Sequence, residues 1–275
     1  MQLLELLKLT KEEVIKEAKN HHQLMLKKYP EQIQKCIQNT QICVRDNIPI
    51  YKQLGKTKFT LVPLDTISAL YNIPYNNDRT LVMNFASFTK PGGRFLDGST
   101  AQEEAIIHES ILYEILVEKT EYYEENKFYK NRGLYSDRAL YTPNALFEHN
   151  DIIRFTNVLT IAAPNRNVLR YNPKIFSEHE NIQALTNRIE FIRDICYQYN
   201  IKYLIAGAFG CGVFKQRAAD VAKIFINTFT FSSCDEVIFA IPPGNNYNHF
   251  KDRILEFTNA VLSAHSKMSY ISVQV

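Results

Sequence analysis

The sequence predicts an α/β protein with a largely parallel sheet between helical layers. Three observations carry this. Strand-like runs alternate with helical stretches of about 15 residues, the rhythm of stacked βα units. Thr80–Phe85 is a continuous apolar run ended by a loop, the signature of a buried strand. Two glycine-rich segments, at residues 92–98 and 207–212, each follow such a run and lead into a helix.

Taken in order, Thr10-Lys-Glu-Glu13 fits a capping box that opens a helix, with Val14, Ala18 and Met25 near one face. Pro30 ends that helix, and a second follows to Asn39. Phe59–Val62 reads as a strand and Asp65–Tyr71 as a short helix. After the strand Thr80–Phe85 and its glycine loop, a helix is expected from about Ala101 to Lys119. Glu121–Arg154, rich in tyrosine and charge, reads as a long irregular surface excursion. Asn157–Ala163 is a strand, Glu178–Tyr199 a helix, and Lys202–Ala208 a strand. The stretch Gln216–Phe229 is helical, Glu236–Ile241 a strand stopped by Pro242-Pro243-Gly244, and Asn248–Ala264 a helix. Tyr270–Val275 reads as an edge strand. With no repeat or linker in view, one domain over residues 1–275 is expected.

The chain has 275 residues, 45% hydrophobic and 22% charged, with a net charge of +3. That charge is too mild to argue for direct nucleic-acid binding, yet it suits an anionic ligand held locally. Five cysteines, an odd number at wide spacings with no CxxC pair, form neither a disulfide framework nor a zinc pattern. Free buried thiols in a reducing, cytoplasmic setting are expected. No apolar run is long enough to span a membrane, and Met1–Thr10 lacks a signal-peptide cleavage pattern. A monomer is expected. His21 and His22 fall on a surface helix, and His108 is a helix-face residue rather than a metal ligand.

Chemistry is expected beyond the carboxyl ends of the strands. In the first glycine segment, Gly92 and Gly93 let the backbone approach a ligand, and Gln102, Glu103 and Glu104 fall in the first turn of the next helix. Acids there also serve the helix dipole. The second, Gly207-Ala-Phe-Gly-Cys-Gly-Val-Phe214, suits a phosphate cradle of converging N–H groups. It lacks the Gly-Lys-Ser/Thr of a Walker loop, and its glycine spacing equally suits a tight strand-to-helix turn. Phe209 and Phe214 are candidates to stack on a ligand, or to pack in the core.

Pro91-Gly-Gly-Arg-Phe-Leu-Asp-Gly-Ser-Thr-Ala-Gln-Glu-Glu104 resembles the signature of the bacterial-type, or microbial, poly(ADP-ribose) glycohydrolases: glycines, a spacer, then Gln-Glu-Glu. Asn84–Ser87, Ser110–Tyr113, Leu140–Pro143, Ala162–Asn165 and Gly207–Phe214 resemble further landmarks of that family, in order, from about Ile42 to Asn259. The resemblance implies a macrodomain-like three-layer α/β/α fold with a mixed, largely parallel sheet and a helical extension over residues 1–45. It implies hydrolysis of ribose–ribose bonds in poly(ADP-ribose) on modified proteins, with no cofactor and no metal. Glu104 would be the acid/base, its pKa raised by a charged Glu103, and Glu103 would hold ribose hydroxyls. Gln102 would support the loop. Asn84, Ser87, Gly92, Gly93, Gln102, Gly207, Gly210, Cys211, Gly212, Val213 and Phe214 would form the ligand site. Two departures stand out: Arg94 replaces the family's third glycine, and Lys215-Gln-Arg-Ala218 replaces an Asn-Asp-Pro-like run. A mono-ADP-ribosyl hydrolase or a non-catalytic ADP-ribose reader are the alternative roles.

Overall fold

The computed structural model describes residues 8–51, 55–72 and 79–264, with side chains to residue 260. The expected edge strand Tyr270–Val275 lies outside the described residues. The chain opens with helix α1 (Lys11–Lys28), and the capping box forms as read: Thr10 Oγ1 accepts the Glu13 N–H while the Glu13 carboxylate accepts the Thr10 N–H. Val14, Ala18 and Met25 are buried, and Pro30 is the first residue of α2 (Pro30–Asn39).

Strand β1 (Gln41–Val44) is followed by β2 (Gly55–Lys56), β3 (Lys58–Val62), α3 (Thr66–Asn72) and β4 (Thr80–Phe85). Helices α4 (Gln102–Ile107), α5 (Leu112–Glu118) and α6 (Thr120–Asn126) come next, then strands β5 (Arg138–His149) and β6 (Ile152–Ile161). The remainder is α7 (Glu178–Gln198), β7 (Tyr203–Ala206), α8 (Ala218–Phe229), β8 (Phe231–Ser232), β9 (Glu236–Ala240) and α9 (Asn245–Ala264). Seven strands form one sheet in the order β1-β5-β6-β4-β7-β9-β3. The pairings β6/β4, β4/β7, β7/β9 and β9/β3 are parallel; β1/β5 and β5/β6 are antiparallel.

The two-residue period of the strands sorts the core into two layers. Leu81 and Met83 of β4, Leu204 and Ala206 of β7 and Val237 and Phe239 of β9 face α7, α8 and α9, through Phe191, Ile192, Phe225 and Phe250. Val82, Ile205 and Ala240 face the other way, onto Ile67, Leu70, Ile106, Leu112 and Tyr122. The runs read as apolar throughout because both faces are covered.

Two expectations are corrected. The helix from Ala101 to Lys119 is broken after Ile107. The backbone around Ser110 leaves the helix to pair with β5: Ile111 N–H donates to Leu146 O at 3.1 Å and Glu148 N–H to Glu109 O at 2.8 Å. Glu121–Arg154 is not an irregular excursion either, since it holds most of α6 and all of β5. Pro143 and Asn144 disguise that strand; they sit at a register shift between Thr142 and Ala145, where Asn144 has φ +53°. Only residues 127–137 stay largely irregular. His21 and His22 are not merely on a surface. His21 Nε2 lies 2.9 Å from Ser110 O and His22 Nδ1 lies 2.9 Å from Glu114 Oε1, so α1 is pinned across α5 and the break before it. All five cysteines are free, four of them buried.

Phe239 sits at the centre of the larger layer, stacked on Phe59 at 6.2 Å and edge-on to Phe225 and Phe250 at 5.7 and 5.0 Å. Phe239→Ala is expected to cost about 3–5 kcal/mol. Urea unfolding checks this: the midpoint drops at unchanged slope, and an unmoved midpoint contradicts the packing described.

Candidate active site

The carboxyl ends of β3, β4, β6, β7 and β9 open onto one cavity of about 670 Å³. Asp65, Thr66 and Ile67 form one wall after β3, and Ile241 to Asn246 form another after β9. Ser87, Gly93 and Arg94 come from the loop after β4, the second glycine loop closes the far side, and Ala163 lies beneath. This is where a parallel sheet leaves strand-end backbone unpaired and helix N-termini converge.

Gln102 fixes the first turn of α4. Its Oε1 accepts the Phe85 N–H at 2.8 Å, and its Nε2 donates to Met83 O at 2.8 Å and to Thr66 Oγ1 at 3.1 Å. The first turn of α4 is thereby tied to the end of β4 and to α3. Glu103 and Glu104 follow, both buried. Glu103 Oε2 accepts the Ser87 N–H at 2.8 Å, and Oε1 accepts from Asn84 Nδ2 at 3.3 Å. Glu104 Oε1 accepts the Arg94 N–H at 2.8 Å, while its Oε2 has no hydrogen-bond partner among the described residues. That oxygen is buried and unpartnered, on a residue that lines the cavity.

Gly93 makes this arrangement possible. It has φ +58°, and a Cβ there would lie 2.6 Å from Glu104 Oε1 and 2.7 Å from Glu103 Oε2. Arg94 does not need to be glycine: its φ is −116°, its backbone supplies the N–H to Glu104, and its exposed side chain turns outward, with Nε 3.7 Å from Asp97. The sequence reading expects a charged Glu103 to push Glu104 upward. Burial instead pushes Glu103 itself up to about 8, the Glu104 carboxyl adding to the rise against the Ser87 N–H bond. At neutral pH Glu103 is therefore largely uncharged, and that source of repulsion is weakened.

The second loop turns on its own hydrogen bonds: the N–H groups of Phe209, Cys211, Lys215 and Gln216 are used within it. Those of Gly212, Val213 and Phe214 make no protein hydrogen bond among the described residues. Gly210 has φ +74°, and a Cβ there would meet Ala163 at 2.6 Å. Gln216 anchors the loop from behind, donating to Pro164 O at 2.8 Å and exchanging amide hydrogen bonds with Asn181 of α7.

Of the residues read from the sequence, Ser87, Gly93, Gln102, Glu103, Glu104, Gly210, Gly212, Val213 and Phe214 line the cavity. Asn84, Gly92, Gly207 and Cys211 stand outside that lining. Asn84 lies behind Glu103 as its hydrogen-bond donor. A Cβ on Gly92 would strike the Tyr113 ring at 2.6 Å, and one on Gly207 the Ala240 carbonyl at 2.8 Å, so both glycines serve packing. Phe209 and Phe214 both line the cavity; Phe209 is completely buried against Phe85, whereas Phe214 is half-buried. Sequence reasoning missed Gln216 and Asn181; an amide beside a glycine loop is the only mark they carry. It also missed the wall from Ile241 to Asn246, although Pro242-Pro243-Gly244 marked a turn at a strand's end. Among the described residues no group of three or more His, Cys, Asp or Glu side chains is placed to hold a metal ion, and no helix is long and apolar enough to cross a membrane.

The chain matches no curated protein sequence. Among solved structures it is similar to poly(ADP-ribose) glycohydrolase from Thermomonospora curvata: 24% identity, 81% of this chain, 88% of that one, TM-score 0.72. The same enzyme bound to the inhibitor ADP-HPD gives a TM-score of 0.71 at the same identity and coverage. The glycohydrolase from Deinococcus radiodurans in complex with ADP-ribose gives 22% identity, 82% of this chain, 98% of that one, and a TM-score of 0.74. At these identities the likeness establishes the fold, which is macrodomain-like. The model of the microbial-type PARG catalytic domain matches residues 7–149, slightly more than half of the chain and the half that carries the Gln-Glu-Glu turn. The chain belongs to the microbial-type poly(ADP-ribose) glycohydrolase family.

Proposed function

We propose that this enzyme cleaves the ribose–ribose bond of poly(ADP-ribose) with Glu104 acting as acid and then as base. The observation that carries this reading is the pair of oxygens on Glu104, a residue of the cavity lining: one is held by the Arg94 N–H, the other is buried with no partner among the described residues. Protonated Glu104 donates to the leaving ribose oxygen as the glycosidic carbon–oxygen bond breaks. The resulting carboxylate faces an oxocarbenium-like sugar and takes a proton from the water that attacks the anomeric carbon. The products are ADP-ribose and a shortened chain, and Glu104 ends as it began. Many glycosidases divide these duties between two carboxyls. Here Glu103 is the neutral neighbour, held by Ser87 and Asn84 and suited to bonding ribose hydroxyls.

The free N–H groups of Gly212, Val213 and Phe214 form the cradle for a diphosphate, and the Phe214 ring lies where a ligand ring can rest on it. Binding energy from the diphosphate then holds the anomeric carbon against Glu104. A cleaved ligand, rather than one merely held, is favoured over the reader role because both carboxyls are buried in the wall beside it.

Glu104→Gln keeps the oxygen that accepts the Arg94 N–H but loses the proton. Release of ADP-ribose from purified polymer, followed by chromatography, is expected to fall by about 10²–10⁴-fold, with ADP-ribose affinity by calorimetry unchanged within a factor of three or so. Turnover that survives the substitution removes Glu104 from this role.

Glu103 supplies a pH test. The folded protein holds its proton to about pH 8, against 4.5 for the ordinary group. Between those values the unfolded chain binds fewer protons, so this group lowers stability as pH rises through the window and contributes no slope below it. Glu103→Gln removes that slope. The melting temperature of the variant relative to wild type is expected to climb from about pH 5 to about pH 8; a flat difference shows that Glu103 is not a buried neutral acid.

A further inference from the structure

We infer that Tyr135 is a positioning residue for ligand binding, acting through Phe214 by bridging the two glycine loops; this rests on the reading of Phe214 as the ring that meets the ligand. Tyr135 is outside the cavity lining. Its ring stacks on Phe88 at 4.3 Å and 14°, and meets Phe214 edge-on at 5.9 Å and 60°. Phe88 directly follows Ser87, whose N–H holds Glu103. Phe214 closes the second loop. Three rings in series therefore join the segment that holds the carboxyls to the segment with the free N–H groups, and the middle ring comes from neither.

The backbone that presents Tyr135 is unusual. Asn131, Arg132, Gly133 and Tyr135 all have positive φ, and Tyr135 stands at +59°. A bulky residue stays in that region only where its surroundings hold it. Here they do. Tyr135 N–H donates to Lys130 O at 3.1 Å, and its carbonyl accepts from Arg188 at 3.1 Å. Arg188 is completely buried on α7, pairs with Asp137 at 2.7 Å and also donates to Ala162 O, next to the cavity's Ala163. The same loop is tied to Phe214 through one intervening segment. Asn165 N–H donates to Gly133 O at 2.7 Å, and Asn167 N–H donates to Phe214 O at 3.0 Å. Strain, a buried cation and the segment Ala162–Asn167 thus converge on one residue whose ring meets Phe214 of the cavity lining.

Tyr135→Gly tests this, because glycine adopts the same backbone freely and only the ring is lost. ADP-ribose affinity by calorimetry and the KM for polymer are expected to weaken about 3- to 10-fold, with kcat little changed. Tyr135→Phe keeps the ring and is expected to bind like wild type. In a Phe214→Ala background, Tyr135→Gly is expected to cause no further loss, since its effect passes through the ring already removed. A merely structural role would lower the melting temperature, leave the split between KM and kcat unmoved, and add its effect to that of Phe214→Ala. If Phe214→Ala itself leaves affinity unchanged, the reading of Phe214 falls and this inference with it. If Phe214→Ala weakens binding but Tyr135→Gly does not, or if the two losses simply add, only the role given to Tyr135 is overturned.

Discussion

Two carboxyl groups lie buried side by side, and the fold must make that tolerable. Desolvating a carboxyl is costly unless hydrogen bonds replace the lost water. The donors here are backbone N–H groups of the preceding loop, from Ser87 to Glu103 and from Arg94 to Glu104. Main-chain donors are rigid and carry no side-chain entropy, but they demand that the loop pass very close to the acids. Gly93 meets that demand, because any Cβ there would occupy the oxygens' own space. The rest of the site follows: Gln102 locks the helix turn to β4, the parallel sheet fixes β4, and α1 is pinned across α5 and the break before it.

The same proximity gives the two acids different surroundings. One is pushed up to about 8 and stays largely neutral; the other keeps a buried oxygen with no partner among the described residues. Nothing in the residue types distinguishes the two. The difference lies in which N–H each meets.

Much of this was legible in the sequence. A continuous apolar run revealed β4 because a strand covered on both faces has no polar side to confuse the pattern. The capping box at Thr10 and the Gln-Glu-Glu turn were legible because caps and helix starts are local chemistry. The misreadings were non-local. A helix through residues 101–119 is locally sound; it breaks because Glu109–Ile111 finds a better partner in β5, more than 30 residues away in sequence. β5 itself was hidden by Pro143 and Asn144 at its bulge. Arg94 looked like an intruder in a glycine loop, yet it meets Glu104 through its backbone N–H. Gln216 and Asn181 do their work as a pair joined across 35 residues, which no spacing rule displays.

The cavity draws its lining from residues as far apart as Asp65 and Asn246, set by the ends of five strands. Many of the contacts that bring its walls together are therefore long in sequence, and such contacts form slowly, after loop-closure entropy has been overcome. A partly folded chain can hold α1 or an isolated hairpin, but it holds no fraction of the pocket. Catalytic competence in this architecture arrives all at once, as a property of completed topology, and turnover is as faithful a reporter of the native fold as any spectroscopic signal.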